Sequence, residues 1–179
     1  MVESLFVFGY GSLMWDPGFA FASRQVARLS GYHRSFCMWS TQYRGTAANP
    51  GLVLALDQAG GAGCHGVAFA VAPEMAAATI CYLQERELIS SAYEEHRLPV
   101  CLSNGTMVEA LTYVVNRNHP QYCQGLNLAE QAAIIARSSG LRGRNDAYLF
   151  NTVAHLAELG ISDPDLAALA ARVQAIHAG

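Results

Sequence analysis

The order of the repeating patterns along the chain is the strongest constraint on its fold. Short apolar runs typical of strands fill the first two thirds, and clusters of glycine, asparagine and proline separate them as turns would. Helix-forming stretches dominate the last third. Strands that precede helices, instead of alternating with them, indicate an α+β fold. Because several runs are apolar on both faces, we expect either a strongly bent sheet or a small barrel, with the C-terminal helices packed on it.

The predicted strands are short, and one helix interrupts them. They cover residues 5–8, 25–29, 32–39, 52–56, 65–71 and 107–115. The interrupting helix begins at Pro73, which suits the first helical position, and runs to about Leu88.

The helices of the last third have recognisable ends. We expect Asn127 to cap a helix that ends at Gly140, Asn145 to cap a helix that ends at Gly160, and Asp163-Pro164 to begin the final helix.

Length and composition indicate one folded domain over residues 1–179, since the chain is long enough to bury a sizeable core. Hydrophobic residues make up 52% and charged residues 14%, a balance far from that of a disordered chain. A net charge of −3 argues against nucleic acid as a partner. The chain has no lysine, which excludes a Schiff-base lysine and a P-loop lysine.

Location and metal content follow from what the sequence lacks. No apolar run is long enough for a membrane span, and the N-terminus lacks the positive region of a signal peptide. The odd number of cysteines then favours reduced thiols and a cytoplasmic location. Neither the cysteines nor the six histidines have metal-ligand spacing, so no metal is expected. The sequence does not indicate an oligomeric state.

Two glycine-rich segments need separate interpretations. Residues 61–66 (GAGCHG) match a dinucleotide-binding pattern, but a strand-like run follows them where a helix is required, so we predict a glycine-rich hairpin. Residues 8–13 (FGYGSL) come directly after the first predicted strand. Ser12 is a poor candidate nucleophile, because Tyr10 stands where the nucleophile elbow has glycine. Gly9 and Gly11 allow a sharp turn whose N–H groups can bind a carboxylate; an ordinary tight turn is the alternative.

Glu87 is the most informative single residue. On a helix that begins at Pro73, it continues the apolar face of Ala76, Ile80 and Leu83, while Glu85 points to nearly the opposite side. A carboxylate on an apolar face loses hydration, which raises its pKa and suits it to proton transfer near neutral pH. The alternative is a structural ion pair with an arginine.

Two further residues are candidates for substrate contact. Arg44 can supply positive charge for an anionic substrate, or be an ordinary surface arginine. Tyr122 can line a pocket, or pack in the core as an aromatic residue beside a proline often does.

Seven segments together resemble the ChaC-like, glutathione-specific branch of the γ-glutamylcyclotransferase family, in the form found in bacteria. They lie in order along nearly the whole chain: residues 8–15 (FGYGSLMW), 31–32 (GY), 40–46 (STQYRGT), 82–87 (YLQERE), 118–122 (NHPQY), 145–151 (NDAYLFN) and 155–160 (HLAELG). The chain departs from many relatives at residues 88–93 (LISSAY), where those carry two glycines and a tyrosine.

The resemblance implies a function and a set of residues. It implies a small mixed α/β barrel whose loop, here Phe8, Gly9, Tyr10, Gly11, Ser12 and Leu13, holds the γ-glutamyl group through backbone N–H groups. It places the catalytic glutamate at Glu87. The implied reaction converts glutathione to 5-oxoproline and Cys-Gly without cofactor or metal. A cyclotransferase for another γ-glutamyl amide, or a non-catalytic γ-glutamyl-binding protein, are the alternatives.

Overall fold

A computed structural model describes residues 4–179, which fold into two compact units. The first unit contains the described residues up to Arg34 together with Ala55–His119; the second contains Ser35–Leu54 and Pro120–Gly179. The prediction of a single domain over residues 1–179 stays a prediction.

Five strands form a closed barrel within the described part of the chain. They are β1 (Leu5–Gly9), β2 (Ser23–Ser40), β3 (Gly51–Val71), β4 (Tyr93–Leu102) and β5 (Met107–Val115). The order around the barrel is β1-β3-β2-β4-β5, and a parallel pairing of β5 with β1 closes it. β3 and β5 also pair in parallel, whereas the described pairings of β1 with β3, β2 with β4 and β4 with β5 are antiparallel. The mixed barrel that the family resemblance implies is confirmed.

Four α-helices complete the fold described here: α1 (Ala76–Glu87), α2 (Leu128–Arg137), α3 (Asn145–Glu158) and α4 (Pro164–Ala178). A 3-10 turn over Pro73–Met75 leads into α1. Between α2 and α3 lies a two-stranded ribbon of β6 (Ser139–Gly140) and β7 (Gly143–Arg144). The order of strands and helices confirms the α+β class.

The core of the first unit is made by side chains of the barrel strands. Phe8, Leu29, Leu56, Val100 and Ala110 belong to one buried cluster, and each is at most 1% exposed. At roughly 25 cal/mol per Å² of apolar surface buried, such side chains supply most of the favourable folding free energy. In the second unit α2, α3 and α4 pack against one another.

Two predicted helix starts are confirmed by the caps themselves. Asn127 Oδ1 accepts a hydrogen bond from Glu130 N at 2.9 Å, and Glu130 Oε2 accepts one from Asn127 N at 2.8 Å, which is a capping box. Asp163 Oδ1 accepts from Leu166 N at 3.1 Å, with Pro164 at the first helical position.

Two other helix-end predictions are wrong. Arg144, not Asn145, precedes α3, because the buried Asn145 side chain exchanges two hydrogen bonds with the backbone of Leu52 at 2.7 and 2.8 Å. Helix α2 ends at Arg137, not Gly140. Gly140 lies in β6 instead, where an added Cβ would stand 2.6 Å from the carbonyl carbon of Tyr43.

The predicted glycine hairpin at residues 61–66 is also wrong, since the whole of Gly51–Val71 is one strand. The glycines in this part of β3 leave space for atoms of neighbouring strands. A Cβ at Gly66 would lie 2.3 Å from Gly9 O, and one at Gly63 would lie 2.2 Å from the guanidinium of Arg28. The predicted strands at residues 25–29 and 32–39 likewise merge into β2, and β4 was not predicted.

Candidate active site

The loop that follows β1 makes one tight turn. Residues Ser12–Met14 form a 3-10 turn in which Met14 N donates to Gly11 O at 2.9 Å and Asp16 N donates to Ser12 O at 2.8 Å. The first N–H groups of such a turn have no partner within it. Among the described residues, none accepts a hydrogen bond from the backbone N–H of Gly11, Ser12 or Leu13. Three successive donors are therefore available to a bound anion.

The start of the loop is fixed to the barrel. Phe8 is fully buried in the core, and its carbonyl accepts a hydrogen bond from Thr112 Oγ1 at 3.0 Å. Gly9 pairs with Val67, and a Cβ there would lie 3.0 Å from Leu13 Cβ. Of these two predicted substrate contacts, Phe8 places its side chain in the core, and Gly9, which has no side chain, allows Leu13 to pack close to the backbone of β1.

Tyr10 is held by both its backbone and its side chain. Its carbonyl accepts a hydrogen bond from Arg34 Nε at 2.6 Å, and its hydroxyl donates to Tyr113 O at 2.9 Å. The Arg34 guanidinium also donates to His65 O. These contacts immobilise the residue that precedes the three available N–H groups, so the loop is ordered before a ligand arrives.

Glu87 is the last residue of helix α1 and lies on the same face as the buried Leu83, as the helical periodicity predicts. Thr79 and Leu83 are buried on the inner face of α1, whereas Glu85 is exposed. The Glu87 side chain is 19% exposed. Burial raises the pKa of the Glu87 carboxyl above its ordinary value, and the charge of Arg86 opposes this rise. The two interpretations offered by the sequence, a desolvated carboxylate and an ion pair with an arginine, therefore hold together.

Arg86 connects Glu87 with the loop. Its Nε lies 3.3 Å from Glu87 Oε1, and its Nη2 donates to Ser12 Oγ at 3.1 Å. Its Nη1 donates to Asp16 O at 2.8 Å and to Tyr82 OH at 3.1 Å. One guanidinium thus brings the carboxylate of α1 and the turn after β1 into a single site within the first unit.

Tyr113 and Glu95 belong to the same neighbourhood but were missed from the sequence. The Tyr113 hydroxyl donates to Glu95 Oε2 at 2.9 Å. Burial raises the pKa of Tyr113 well above its ordinary value, and so do the hydrogen bond to Glu95 and the charges of Glu95 and Glu87. The phenol therefore stays protonated. Strand β4, which carries Glu95, lacks a clear alternation of apolar residues and contains Pro99, so no signal identified it.

Arg44 and Tyr122, the other predicted substrate contacts, lie in the second unit. Arg44 Nη1 donates to Arg142 O at 2.7 Å and to Arg144 O at 3.2 Å, and the guanidinium lies 5.1 Å from the centroid of the Tyr148 ring. Tyr122 forms an antiparallel bridge with Met38. The substrate roles of Arg44 and Tyr122 stay predictions.

Over residues 4–179, no group of three or more histidine, cysteine, aspartate or glutamate side chains is arranged to hold a metal ion. Within the same range, no helix combines the length and apolar character that a membrane crossing requires.

Comparison with known proteins identifies the family. A family model described as ChaC-like protein matches residues 5–176. The chain is 36% identical over 162 residues to the glutathione-specific gamma-glutamylcyclotransferase of Escherichia coli (strain K12), covering 90% of this chain and 69% of that protein. The enzyme of the same name from Schizosaccharomyces pombe is 33% identical, with 91% of this chain and 88% of that protein covered.

A solved structure agrees with this assignment. The gamma-glutamylcyclotransferase specific to glutathione from yeast superposes with a TM-score of 0.86 at 26% identity, covering 97% of this chain and 96% of that one. The family match spans nearly the whole chain, and the shared fold includes the barrel and the helices. The chain therefore belongs to the ChaC-like family.

Proposed function

We propose that this protein is a glutathione-specific γ-glutamylcyclotransferase, which converts glutathione to 5-oxoproline and Cys-Gly. Relatives from a bacterium, a yeast, a fish and a mammal carry the name of this activity. The observation that carries the proposal is the placement of Glu87, a largely buried carboxylate that Arg86 connects to a loop with three available N–H donors.

The loop after β1 binds the γ-glutamyl group in this proposal. The N–H groups of Gly11, Ser12 and Leu13 donate to the α-carboxylate of the substrate, and the nearby charge of Arg86 adds attraction for an anion. Phe8, Gly9 and Tyr10 act through the backbone by fixing the start of the loop. Substrate binding therefore needs little rearrangement of the loop.

The reaction itself requires no nucleophile from the protein. The α-amine of the γ-glutamyl group attacks the γ-carbonyl carbon, a five-membered lactam closes, and the bond to the cysteinyl nitrogen breaks. The protein holds the chain so that amine and carbonyl meet. In well-oriented intramolecular reactions, such positioning lowers the activation free energy by up to about 7–11 kcal/mol. No cofactor takes part in these steps.

Glu87 moves the proton. An ammonium group cannot attack a carbonyl, so the α-ammonium first loses one proton to water. When the resulting amine attacks the γ-carbonyl carbon, its nitrogen gives a second proton to the Glu87 carboxylate. The resulting carboxylic acid then delivers that proton to the departing nitrogen of Cys-Gly. The raised pKa of Glu87 suits both roles near neutral pH, and general acid–base assistance of this kind contributes about 10²–10⁴-fold.

Arg44 is proposed to supply positive charge for an anionic substrate, and Tyr122 is proposed to line a substrate pocket. The support for Arg44 is chemical: glutathione carries carboxylates, which a guanidinium binds well. We also propose a cytoplasmic location, supported by the five cysteines, none of which forms a disulfide within residues 4–179. Glutathione is the proposed partner, with neither nucleic acid nor membrane involved.

The direct test is to incubate the purified protein with glutathione and to measure 5-oxoproline and Cys-Gly by mass spectrometry. We expect equal amounts of both products. A second γ-glutamyl amide without the Cys-Gly portion, supplied at the same concentration, tests specificity and should react more slowly. Saturable glutathione binding without any 5-oxoproline would contradict the proposal and favour a binding protein.

A further inference from the structure

A second carboxylate, Glu95, lies next to the proposed site without taking part in the steps described above. Glu95 on β4 and Tyr113 on β5 are directly opposite each other in the antiparallel register. Side chains at such a position share one face of the sheet and are close enough to interact. The hydroxyl of Tyr113 donates to Glu95 Oε2 at 2.9 Å, which is a charge-assisted hydrogen bond.

Helix α1 contributes to the same arrangement. Gln84 Nε2 lies 3.3 and 3.2 Å from the two carboxylate oxygens of Glu95. Gln84 and Glu87 are three residues apart on α1, which makes them neighbours on the helix surface. Glu95, although itself exposed, is thereby held from two sides, by α1 and by β5, in the immediate surroundings of Glu87.

The direction of the Tyr113 hydrogen bond decides what its oxygen can do. A phenol has one proton to donate and two lone pairs that accept. Because the proton is committed to Glu95, the oxygen can only accept a hydrogen bond from any other group. Tyr113 is connected to both parts of the proposed site. The Tyr10 hydroxyl of the loop donates to the Tyr113 carbonyl at 2.9 Å, and Glu95, the partner of Tyr113, accepts from Gln84 of the helix that carries Glu87.

We propose that Glu95 is a positioning residue, which accepts the hydrogen bond of the Tyr113 hydroxyl and so presents the phenolic oxygen as a hydrogen-bond acceptor to Glu87. This inference rests on the proposed cyclotransferase function. When Glu87 receives the proton of the substrate α-amine, it becomes a carboxylic acid with an O–H to donate. The Tyr113 oxygen accepts a hydrogen bond from that O–H until Glu87 passes the proton to the departing nitrogen. Without Glu95, the Tyr113 hydroxyl would turn its own proton toward the Glu87 carboxylate.

The expected pH dependence follows from the charges around Glu87. These are Arg86 on the same helix, Tyr113 on β5, and Glu95 on β4 beyond the phenol. In a Glu95→Ala variant, a new hydrogen bond from Tyr113 and the loss of a nearby negative charge both favour ionised Glu87. Both effects lower the pKa of Glu87 and weaken it as a base.

The test compares Glu95→Ala with Glu94→Ala, which removes the neighbouring charge from the opposite face of β4. For Glu95→Ala we expect kcat to fall by about tenfold, the size of one lost hydrogen bond to a charged group. We also expect the acid limb of kcat/KM to move to lower pH by up to about one unit. Glu94→Ala should change neither, and melting temperatures show that both variants are folded.

The same pair of substitutions in a Tyr113→Phe background completes the experiment. Phenylalanine keeps the buried ring but has no hydroxyl, so Glu95→Ala should then add nothing beyond the effect of Glu94→Ala. If Glu95→Ala behaves like Glu94→Ala in the otherwise wild-type enzyme, the inference is wrong. If the wild-type protein produces no 5-oxoproline from glutathione, it is the proposed function that fails.

Discussion

Two buried carboxylates, one in each unit, behave in opposite ways. Asp146 begins helix α3 and its side chain is 8% exposed; Glu87 ends helix α1 and its side chain is 19% exposed. Burial acts to raise the pKa of both carboxyls. The pKa of Asp146 is nevertheless lowered, chiefly by its hydrogen bonds with Arg144, while that of Glu87 is raised by burial.

The difference lies in the partners. Both oxygens of Asp146 are satisfied: Arg144 Nε donates to Oδ1 at 2.9 Å, Ala147 N donates to Oδ1 at 2.7 Å, and His177 Nε2 lies 2.9 Å from Oδ2. For Glu87, the charge that stabilises the ionised form is that of Arg86. A buried carboxylate with its full set of donors holds structure together, whereas one with few donors is ready to accept a proton.

Replacing Glu87 tests whether the carboxylate with few donors carries the proton, and it should have the largest effect on activity. Glu87→Gln keeps the shape of the side chain but removes the proton acceptor, so we expect turnover to fall by about 10²-fold or more. Glu85→Gln on the exposed face is the matched control and should be nearly silent. If Glu87→Gln keeps more than about a tenth of the wild-type rate, where a 10²-fold loss is expected, then Glu87 is not the proton carrier.

The sign of the pH dependence follows from the same residue. Glu87 must be ionised to accept a proton, so kcat/KM should decrease as the pH falls through its raised pKa, above the usual glutamate value of about 4.3. A carboxyl with a raised pKa destabilises the fold once it ionises, so Glu87→Gln should melt at or above the wild-type temperature at pH 7.

Replacing Asp146 should have the reverse effect. In Asp146→Asn the charge that pairs with Arg144 and His177 is lost, so we expect the free energy of unfolding at pH 7 to decrease, by an amount that solvent screening of the exposed Arg144 keeps small. Turnover per folded molecule should change little.

Acid titration of the Asp146→Asn variant adds a second readout. Since the folded pKa of Asp146 is lowered, its stabilisation is present above the unfolded value of about 3.9 and is lost as the pH falls through the folded value. The difference between variant and wild type should therefore shrink in acid. A constant difference down to the lowest pH would contradict the ionic account of Asp146.

The loop after β1 should be sensitive to bulk more than to the loss of a hydroxyl. Gly11→Val places a β-branched side chain beside the donors of Ser12 and Leu13, so we expect KM for glutathione to rise by at least about tenfold, the loss of one charge-assisted hydrogen bond. Ser12→Ala removes a single hydrogen bond with Arg86, about 0.5–1.5 kcal/mol. Complete inactivity of Ser12→Ala would instead require a serine nucleophile.

The smallest expected effect concerns backbone strain close to Glu87. Ser91 has φ of +57°, which glycine adopts more readily than serine. It lies in residues 88–93, where the sequence departs from many relatives with glycines. Ser91→Gly should therefore stabilise the protein by up to about 1 kcal/mol, measured by denaturant unfolding. Destabilisation by the same amount would show that hydrogen bonds of this loop outweigh its strain.

Features set by neighbours along the chain could be predicted from the sequence. The inward position of Glu87 follows from the spacing of apolar residues on one helix, and the caps at Asn127 and Asp163 depend on donors three residues away. The ChaC-like resemblance implied a catalytic role for Glu87, which stays a prediction. Local patterns of this kind need no knowledge of the rest of the fold.

Features set by distant residues could not be predicted in this way. Asn145 resembles a helix cap but bonds to Leu52, 93 residues earlier. Glu95 and Tyr113 meet only because β4 and β5 pair in one particular register. The glycines of β3 resemble a turn, yet they make room for Gly9 and Arg28 on other strands. In each case the deciding partner lies outside any local window of sequence.

The most direct test of the cyclisation mechanism uses glutathione acetylated on its α-nitrogen. Acetylation removes the reactivity of the nitrogen that we propose as nucleophile and leaves the γ-amide bond unchanged. With free and acetylated glutathione supplied side by side, we expect Cys-Gly to be released from the free compound alone. Release from the acetylated compound at a comparable rate would contradict cyclisation and indicate hydrolysis or a covalent acyl-enzyme.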